Sequence, residues 1–577
     1  MTNADAARVF EEIADLLEIK GEEAFRVNAY RRVARTLAEL TEDVRIIAAR
    51  GGLADLPGVG KASAQKIVEL LETGSLALRR ELTAEVPESL LELLRIPSIG
   101  PKKAALLWKE LGVRSVADLE AALAAGRLAG LKGFGAKSIE QIARGIAFRA
   151  QSAGRTRLGD VWALAEELRA ALAALPGVER VECAGSLRRA RETVGDLDLL
   201  CVARAGPPVI EAFTRVPRVR AVLAAGATKG SVRMVVGAGT LQVDLRVIPA
   251  DVFGAAWQYF TGSKEHNVRL RELAVRRGWS LSEYGLTEGG RTIAARTEEE
   301  IYAALGLPWI PPELREDRGE LEAGAVPADL LTERDVRGDL HMHTSASDGH
   351  HTVEELAAAA RARGYAYICV TDHSQSSAIA GGLKVAALRA HAARVRAAAA
   401  QIRDVTVWIG TEVDILADGR LDYPDAVLAE LDFVIASIHS GLGNDSAANT
   451  RRTLAAIANP FVNCIGHPTG RLINEREAMP LDLEAVAQAA ARTGTALEIN
   501  ANYYRLDLKD QHARRARELG ATLCINTDTH SLDQLDQMRF GVLTARRAGL
   551  RVGDVLNTRS AEEVRAFVER KRRDARA

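Results

Sequence analysis

The chain has 577 residues, more than one hydrophobic core normally holds, so we expect several domains. Its 76 Lys and Arg against 77 Asp and Glu exclude a protein held to nucleic acid by its overall charge, and only local basic patches could bind phosphate. The N-terminus lacks the basic start and apolar run of a secretory signal, and no stretch reaches the roughly 18 apolar residues of a membrane span. We therefore predict a cytoplasmic protein without membrane partners.

Three glycine turns punctuate the N-terminal region, which is predicted to be helical over residues 1–150. The turns at residues 56–61, 96–101 and 131–136 each precede an amphipathic helix. Such a turn offers unpaired N–H groups and a positive helix end to a phosphate, although it could equally serve tight helix packing. The turns resemble helix-hairpin-helix motifs. The resemblance implies contacts to the DNA backbone from Gly58, Gly60, Lys61, Gly100, Lys102, Gly133 and Gly135.

The first of these turns lies in a stretch that resembles the small lyase domain of family X DNA polymerases. Residues 28–32 and the turn at 57–60 carry the match. The resemblance implies that Lys66 forms a Schiff base with an abasic sugar, which requires a lysine of depressed pKa. Relatives have His-Lys where this chain has Phe25 and Arg26, so one phosphate donor is missing. The alternative is that Lys66 is one more phosphate contact.

A pair of aspartates follows a Gly-Ser turn in the next, mixed α/β region. Asp196 and Asp198 lie two residues apart on a predicted strand, so both point to one face, and Leu197 and Leu199 point to the other. Asp244 lies on a second alternating strand. Three carboxylates on adjacent strands can hold two Mg²⁺ or Mn²⁺ ions about 3.5–4 Å apart. The alternative is a strand with solvated aspartates.

The residues around these carboxylates resemble a nucleotidyltransferase site, and Tyr259-Phe260-Thr261-Gly262-Ser263 narrows the resemblance to family X DNA polymerases. The resemblance implies that the aromatic pair packs against the sugar of a deoxynucleoside triphosphate and disfavours a 2′-hydroxyl. We expect Lys264 to add a phosphate or base contact. The predicted nucleotide-binding residues are Gly185, Ser186, Arg189, Gly195, Tyr259, Phe260, Gly262, Ser263, Lys264, Asn267 and Arg271.

Histidines are concentrated in the C-terminal region, where ten of the eleven follow residue 340. From residue 336 onward, short apolar strands alternate with helices about seven times, which predicts a parallel barrel. Each predicted strand ends in a histidine, a carboxylate or an asparagine. Barrels place active sites at the carboxyl ends of their strands, and imidazole with carboxylate suits Zn²⁺ or Mn²⁺. The sequence therefore predicts a metal site here.

This pattern resembles the polymerase and histidinol phosphatase (PHP) domain, which implies up to three Mn²⁺ or Zn²⁺ ions and phosphoester hydrolysis. Glu412 is expected to bridge metals. His350 or His351 could replace Asp348 as a ligand, and His391 and His512 are predicted to lie on the surface of helices. The implied ligands are His341, His343, Asp348, His373, Glu412, His439, His467, Asp528 and His530.

Together these features predict a multidomain α+β enzyme, a family X-type DNA polymerase that fills short gaps in DNA repair. The resemblance adds a Mn²⁺-stimulated 3′–5′ exonuclease, with abasic-site endonuclease or 3′-phosphatase activity. Predicted partners of the monomer are gapped or nicked duplex DNA, dNTPs, DNA ligase and other repair proteins. The alternatives are a non-catalytic gap-sensing protein and a small-molecule phosphatase with an accessory nucleotidyltransferase-like domain. The predicted domains are lyase-like 1–95, helix-hairpin-helix fingers 96–150, palm 151–265, thumb 266–315, linker 316–335 and a distorted (β/α)7 PHP barrel 336–577.

Overall fold

A computed structural model of the chain describes residues 3–40, 43–152, 154–237, 239–322 and 326–574. The chain forms two compact units, residues 1–153 with 474–476, and residues 154–473 with 477–577. Among the described residues, no helix combines the length and apolar character that crossing a membrane requires.

The first unit is helical, because apolar residues recur at helical spacing. On the first helix Phe10, Ile13 and Leu17 are fully buried, and Ile67 and Leu70 of the fourth helix belong to the same core. The helices are α1 (Asn3–Lys20), α2 (Ala24–Glu39), α3 (Val44–Ala49), α4 (Lys61–Thr73), α5 (Ala77–Glu85), α6 (Leu90–Leu93), α7 (Pro101–Leu111), α8 (Val116–Ala124) and α9 (Ala136–Ser152).

The second unit begins with a mixed five-stranded sheet, here called the palm. Its strand order is β2-β4-β7-β6-β5, with β4 and β7 parallel and the other neighbours antiparallel. The elements are β1 (Thr156–Arg157), α10 (Leu158–Ala173), β2 (Val178–Cys183), α11 (Gly185–Arg188), β3 (Thr193–Val194), β4 (Asp196–Ala203), α12 (Gly206–Thr214), β5 (Val219–Ala225), β6 (Lys229–Val236) and β7 (Gly239–Val247).

Helices and a small antiparallel sheet follow the palm. Glu298 is buried between two arginines, Arg188 of α11 and Arg315, and each guanidinium donates two hydrogen bonds to its carboxylate at 2.7–2.9 Å. This paired charge ties the palm to the region after it. The elements are α13 (Phe253–Thr261), α14 (Lys264–Val275), β8 (Ser280–Ser282), β9 (Gly285–Glu288), β10 (Arg291–Ala294) and α15 (Glu298–Ala304).

Seven parallel strands in sequential order, β11 to β17, form the C-terminal barrel. A bridge between Met342 and Thr529 brings the ends of the first and last strands together, so the barrel is nearly closed. The predicted fold class is confirmed. The elements are β11 (Gly338–Met342), α16 (Val353–Ala362), β12 (Tyr367–Val370), α17 (Val385–Ala399), β13 (Thr406–Asp414), α18 (Asp425–Leu428), β14 (Phe433–Ser437), α19 (Ser446–Ala458), β15 (Cys464–Ile465), α20 (Leu483–Thr493), β16 (Ala496–Asn500), α21 (Asp510–Glu518), β17 (Leu523–Asn526), α22 (Met538–Arg547) and α23 (Ala561–Asp574).

The palm and the barrel share a hydrophobic core. Trp162 of α10 meets Phe540 of α22 edge to face at 5.8 Å, and Tyr503 contacts the same phenyl ring at 5.7 Å. A Cβ at Gly159 would lie 2.3 Å from the Tyr503 ring, so only glycine allows this approach. The two domains are therefore packed against each other as core elements.

Candidate active sites

The three palm carboxylates meet on one face of the sheet. In the register of β4 and β7, Asp198 lies directly opposite Asp244, and Asp196 lies opposite Gln242. Leu197 is fully buried on the other face, as the alternation predicts. Burial and the nearby charges of Asp196 and Asp244 raise the pKa of Asp198 to about 7. A cation would relieve this repulsion, so the carboxylates fit divalent metal ions.

Asp244 is held by its neighbours on β6 and β7. Ser231 donates a hydrogen bond to Oδ1, Gln242 donates to the same atom at 3.1 Å, and Lys229 lies 3.9 Å from Oδ2. Sequence reasoning missed Ser231, although its place in an alternating strand was a usable signal. In the described part of the chain, three or more His, Cys, Asp or Glu ligand atoms within 4.8 Å of one another occur only in the barrel. The palm trio is thus more open.

The Gly-Ser turn packs tightly against Asp198. Gly185 has φ of +60°, and a Cβ there would lie 2.4 Å from Oδ2 of Asp198, so glycine is required. The buried hydroxyl of Ser186 has no hydrogen-bond partner among the described residues, which leaves it free to donate to a ligand. Arg189 donates to the Thr261 carbonyl at 2.5 Å. These groups surround the entrance to the carboxylates.

The corner between α13 and α14 carries the predicted aromatic pair. The rings of Tyr259 and Phe260 meet edge to face at 5.2 Å, and the Arg246 guanidinium lies 4.4 Å from the centre of the Phe260 ring. Gly262 ends α13 with φ of +71°, and the Ser263 hydroxyl caps α14 by accepting from a backbone N–H. The corner is therefore fixed by its turn residues.

Asn267 ties α14 to α13. Its amide donates to the Tyr259 carbonyl at 2.7 Å and accepts from Gln258 at 2.7 Å. Arg271 donates to the Asn267 carbonyl at 3.3 Å, whereas the side chain of Lys264 is exposed. These contacts make Asn267 a positioning residue for the aromatic corner.

A cavity of about 760 Å³ joins these parts, which is large enough for a nucleotide. Most of the predicted nucleotide-binding residues line it, together with Asp196 and Asp198, whereas Gly195 and Asp244 lie outside its wall. Seven further residues on the wall were not predicted to bind the nucleotide: Arg155, Arg191, Thr261, Glu265, Glu316, Arg318 and, from barrel helix α21, Gln511.

The predicted barrel ligands converge at the carboxyl ends of the strands, in three groups whose ligand atoms lie within 4.8 Å of one another. Two histidines, His343 and His373, each belong to two groups. His467 belongs to none, but its Nε2 lies 2.9 Å from Glu412. The groups are His343, Asp348, His373 and His530; His341, His343 and Asp528; and His373, Glu412 and His439.

Glu412 lies at the centre of the cluster, with nitrogens of five histidines within 3.8 Å. Burial opposes ionisation, but the surrounding imidazoles hold the pKa of Glu412 well below its usual range. Burial lowers the pKa of His373, but the neighbouring carboxylates of Glu412 and Asp348 raise it more. The net result is a pKa of about 11. Against burial, Glu412 and Asp414 raise the pKa of His439 to about 9. Protons therefore compete with metals here.

The barrel residues fit metal ions. The buried ring nitrogens His341 Nε2, His343 Nδ1 and His467 Nδ1 have no hydrogen-bond partner among the described residues, as expected of groups that need a ligand. Asp348 lies 3.5 Å from His373 and 3.4 Å from His530. Neither His350 nor His351 joins a group of potential ligands in the described chain.

Supporting carboxylates orient these histidines. Glu498 lies 2.8 Å from His341 Nδ1 and accepts from the His467 backbone N–H at 2.6 Å. Asp414 lies 2.6 Å from His439 Nδ1. Such partners fix the ring orientation of a ligand. Sequence reasoning missed both carboxylates, although Glu498 lies two residues before Asn500 and therefore on the same face of β16.

His391 is buried, so its predicted surface position is wrong. It is 4% exposed, and its Nε2 lies 2.8 Å from Asp372, the residue before the predicted ligand His373. The inner face of α17, with Leu388 and Val395 at helical spacing, packs on the barrel and includes this histidine. His512 is half-buried.

The three glycine turns of the first unit share one geometry. Val59, Ile99 and Phe134 are each 4% exposed, so an apolar residue anchors every turn. Gly60 and Gly100 precede α4 and α7 with extended backbones, and Gly135 precedes α9. A Cβ at any of these three glycines would meet nothing within 4 Å. Tight helix packing therefore does not explain them, and their outer surface is open to a ligand backbone.

Both lysines named at these turns, Lys61 and Lys102, are exposed, and Gly58 and Gly133 have positive φ.

Lys66 lies on α4 at the wall of a cavity of about 370 Å³. Arg26 and Tyr30 of α2 line the same cavity, whereas Phe25 is 79% exposed.

Four family models match the chain, each over part of its length. Residues 1–76 match a helix-hairpin-helix domain, and residues 90–147 match a SAM-like helix-hairpin-helix tandem. Residues 256–316 match the DNA polymerase beta thumb, and residues 339–502 match the PHP domain.

Curated relatives match the whole chain or one of its halves. The DNA polymerase/3′-5′ exonuclease PolX of Bacillus subtilis is 40% identical over 99% of this chain and 100% of its own length. A probable phosphatase of Thermoanaerobacter sp. is 29% identical over 41% of this chain and 95% of its own length. DNA polymerase lambda of Rattus norvegicus is 28% identical over 45% of this chain and 48% of its own length.

Proposed function

This chain belongs to the PolX family of bacterial family X DNA polymerases with a PHP domain, and on that premise we propose that its palm fills short gaps in duplex DNA while its barrel trims 3′ ends. The polymerase assignment depends on the register that sets Asp198 against Asp244 beside a nucleotide-sized cavity. The full-length relationship to a polymerase/exonuclease favours this function over a gap sensor or a small-molecule phosphatase.

In the palm, the predicted nucleotide-binding residues have different roles in holding an incoming nucleotide. Bound Mg²⁺ or Mn²⁺ would activate the primer 3′-hydroxyl and screen the triphosphate. The Ser186 hydroxyl and Arg189 donate to phosphate oxygens. Tyr259 and Phe260 pack against the sugar where a 2′-hydroxyl would stand, so the site selects deoxynucleotides. Lys264 and Arg271 lie on the same cavity wall and contact the nucleotide.

In the barrel, the nine predicted ligands would hold up to three Mn²⁺ or Zn²⁺ ions, and bound ions would polarise a phosphodiester for attack by water. Glu412 would be the residue best placed to serve more than one ion, because it lies among the histidines of adjacent groups. The same site would also cleave at abasic positions and remove 3′-phosphates, since each reaction hydrolyses the bond between a phosphorus atom and a 3′-oxygen.

The first unit holds the DNA backbone. The open glycine turns support contacts to the phosphate backbone that do not depend on the base sequence. This suits a protein that acts at gaps anywhere in a chromosome. We place the enzyme in base excision or break repair, as a cytoplasmic monomer at the nucleoid that passes its product to a DNA ligase.

Primer extension and degradation on a one-nucleotide gap test this function. Wild-type protein should insert one nucleotide with Mg²⁺ and remove 3′ nucleotides with Mn²⁺, and Asp196→Ala should lose insertion only. Turnover of histidinol phosphate without activity on gapped DNA would overturn the proposal.

A second activity is favoured by the cavity around Lys66. Arg26 and Tyr30 on its wall could hold a 5′-phosphate and an abasic sugar against the lysine. Borohydride should then trap a covalent DNA adduct in wild-type protein and not in Lys66→Ala. If no adduct forms, Lys66 is a phosphate contact.

A further inference from the structure

The segment after the thumb, residues 316–320, is held rigidly, although its composition predicts a linker. Glu316 accepts hydrogen bonds from Arg189 of the palm at 3.0 Å, from Arg191 at 3.2 Å and from Arg547 of barrel helix α22 at 2.9 Å. One buried carboxylate thus joins the palm to the barrel at the edge of the 760 Å³ cavity beside the palm carboxylates, here called the nucleotide cavity.

Glu320 fixes the other end of this segment. Its carboxylate lies 2.7 Å from His266 Nδ1 and accepts from the backbone N–H groups of Asp317 and Arg318 at 2.8 Å and 2.6 Å. The carbonyl of Arg318 accepts from Arg514 of α21 at 3.3 Å. The backbone that carries Arg318 therefore has little freedom to move away from the cavity.

Barrel residue Asp510 orients the side chain of Arg318. Its Oδ2 accepts from Arg318 at 3.0 Å and from Arg547 at 2.9 Å. Burial opposes ionisation of Asp510, but Arg547 and Arg318 lower its pKa to about 2. The Arg318 side chain is 19% exposed, and it lines the nucleotide cavity beside Gln511.

Positive charge is in excess at this junction. Four guanidinium groups share two carboxylates, which leaves two positive charges in a half-buried network. Excess charge away from water is costly unless a counter-ion is present. A polyphosphate in the adjoining cavity is such a counter-ion, and a smaller cavity of about 170 Å³ that shares Arg191, Arg318 and Gln511 extends the basic surface.

We propose that Arg318 binds the polyphosphate of the incoming nucleotide and of the pyrophosphate product, so that the barrel, through Asp510, is a structural part of the polymerase site. This inference rests on the proposed polymerase function. It goes beyond that function because the residue lies outside the palm and its orientation depends on a domain with a different chemistry.

Single-turnover insertion into a one-nucleotide gap tests this proposal in the full-length protein. Arg318→Ala should raise the apparent Kd for dNTP by about tenfold, with a smaller change in maximal rate, because a charge-assisted phosphate contact is lost. In the reverse reaction, the KM for pyrophosphate should rise by a similar factor. Arg318→Lys should recover part of both losses.

Arg546→Ala is a matched control. Arg546 lies at the same junction, is 18% exposed and pairs with Glu313 at 2.8 Å, but it does not line the cavity. Its dNTP Kd should stay within about twofold of wild type. Equal Kd values for the Arg318→Ala, control and wild-type proteins would overturn the proposal, as would a loss confined to the rate. If wild-type protein inserts no nucleotide, the polymerase function itself fails before this comparison is made.

Discussion

The palm and the barrel differ in how closely their candidate metal-binding side chains are gathered. In the barrel, three groups of ligand atoms already lie within 4.8 Å of one another and surround a buried Glu412. In the palm, Asp198 and Asp244 face each other across two strands, while Asp196 is exposed at the edge of a wide cavity.

This difference indicates how each site selects its metals. The barrel supplies many donors itself, so we expect it to retain ions without substrate. The palm supplies three carboxylates, and phosphate oxygens of the nucleotide must complete the coordination. Four predictions challenge or refine this comparison, in order of decreasing effect.

Removing one central ligand from each site should separate the two activities. Asp198→Asn should lower nucleotide insertion on the order of a thousandfold, because a carboxylate that would hold the palm metals is lost, and it should spare exonuclease. His343→Ala should do the reverse. Both rates are measured on the same gapped substrate. Loss of both activities in either variant would show that the sites are not independent.

Removing a carboxylate that orients the histidines should lower the affinity of the barrel for metal ions by about 10- to 100-fold. Glu498→Gln keeps the side-chain size but places an amide against His341 and the His467 backbone, so two ligands lose their orientation. Mn²⁺ titration by calorimetry measures the affinity. Glu484→Gln, at an exposed position on α20, is the control, and an equal affinity in the two variants would contradict this role.

The two sites should respond differently to pH. The pKa of Asp198 is raised to about 7, so below that value a proton occupies the carboxylate and Mg²⁺ must displace it. The Mg²⁺ concentration for half-maximal insertion should fall up to about tenfold per unit as the pH rises towards 7, then level off.

Metal binding by the barrel should depend on pH over a higher range than metal binding by the palm, because the pKa of His439 is raised to about 9. Its apparent Mn²⁺ affinity should keep rising between about pH 7 and about pH 9, with proton release on binding. Titrations in buffers of different ionisation enthalpy detect this release. A flat Mn²⁺ affinity across that range would refute the expectation.

Ser231→Ala should give the smallest effect, about a fivefold loss of insertion rate, because one hydrogen bond from a neutral donor to Asp244 disappears while Gln242 still donates. Higher Mg²⁺ should restore much of the rate if Ser231 only positions the carboxylate. Ser280→Ala on β8 serves as the comparison, and a loss that Mg²⁺ cannot repair would point to a structural defect.

The fold and much of both sites were predictable because their signals are local. Asp196 and Asp198 lie two residues apart on one strand, and each barrel strand except β16 leads into a predicted ligand, so strand periodicity alone places them. The parallel barrel followed from the same alternation of strands and helices.

The junction could not be predicted, because its partners are remote in sequence. Arg318 and Asp510 are 192 positions apart, and Arg189 and Arg547 are 358 apart. A polar, Pro- and Gly-containing stretch carries no periodic signal, so Glu316 and Arg318 looked like linker residues. By contrast, the burial of His391 was detectable, since it shares a helical face with Leu388 and Val395.

The interlocked rings of Trp162, Tyr503 and Phe540 hold the palm against the barrel, which constrains how synthesis and trimming would alternate. With the palm fused to the barrel by a common core, neither catalytic centre can swing towards the other. The 3′ terminus must instead unpair and travel along the protein surface, or leave and rebind. The stability of the terminal base pair, more than any hinge in the enzyme, would then decide when extension gives way to proofreading.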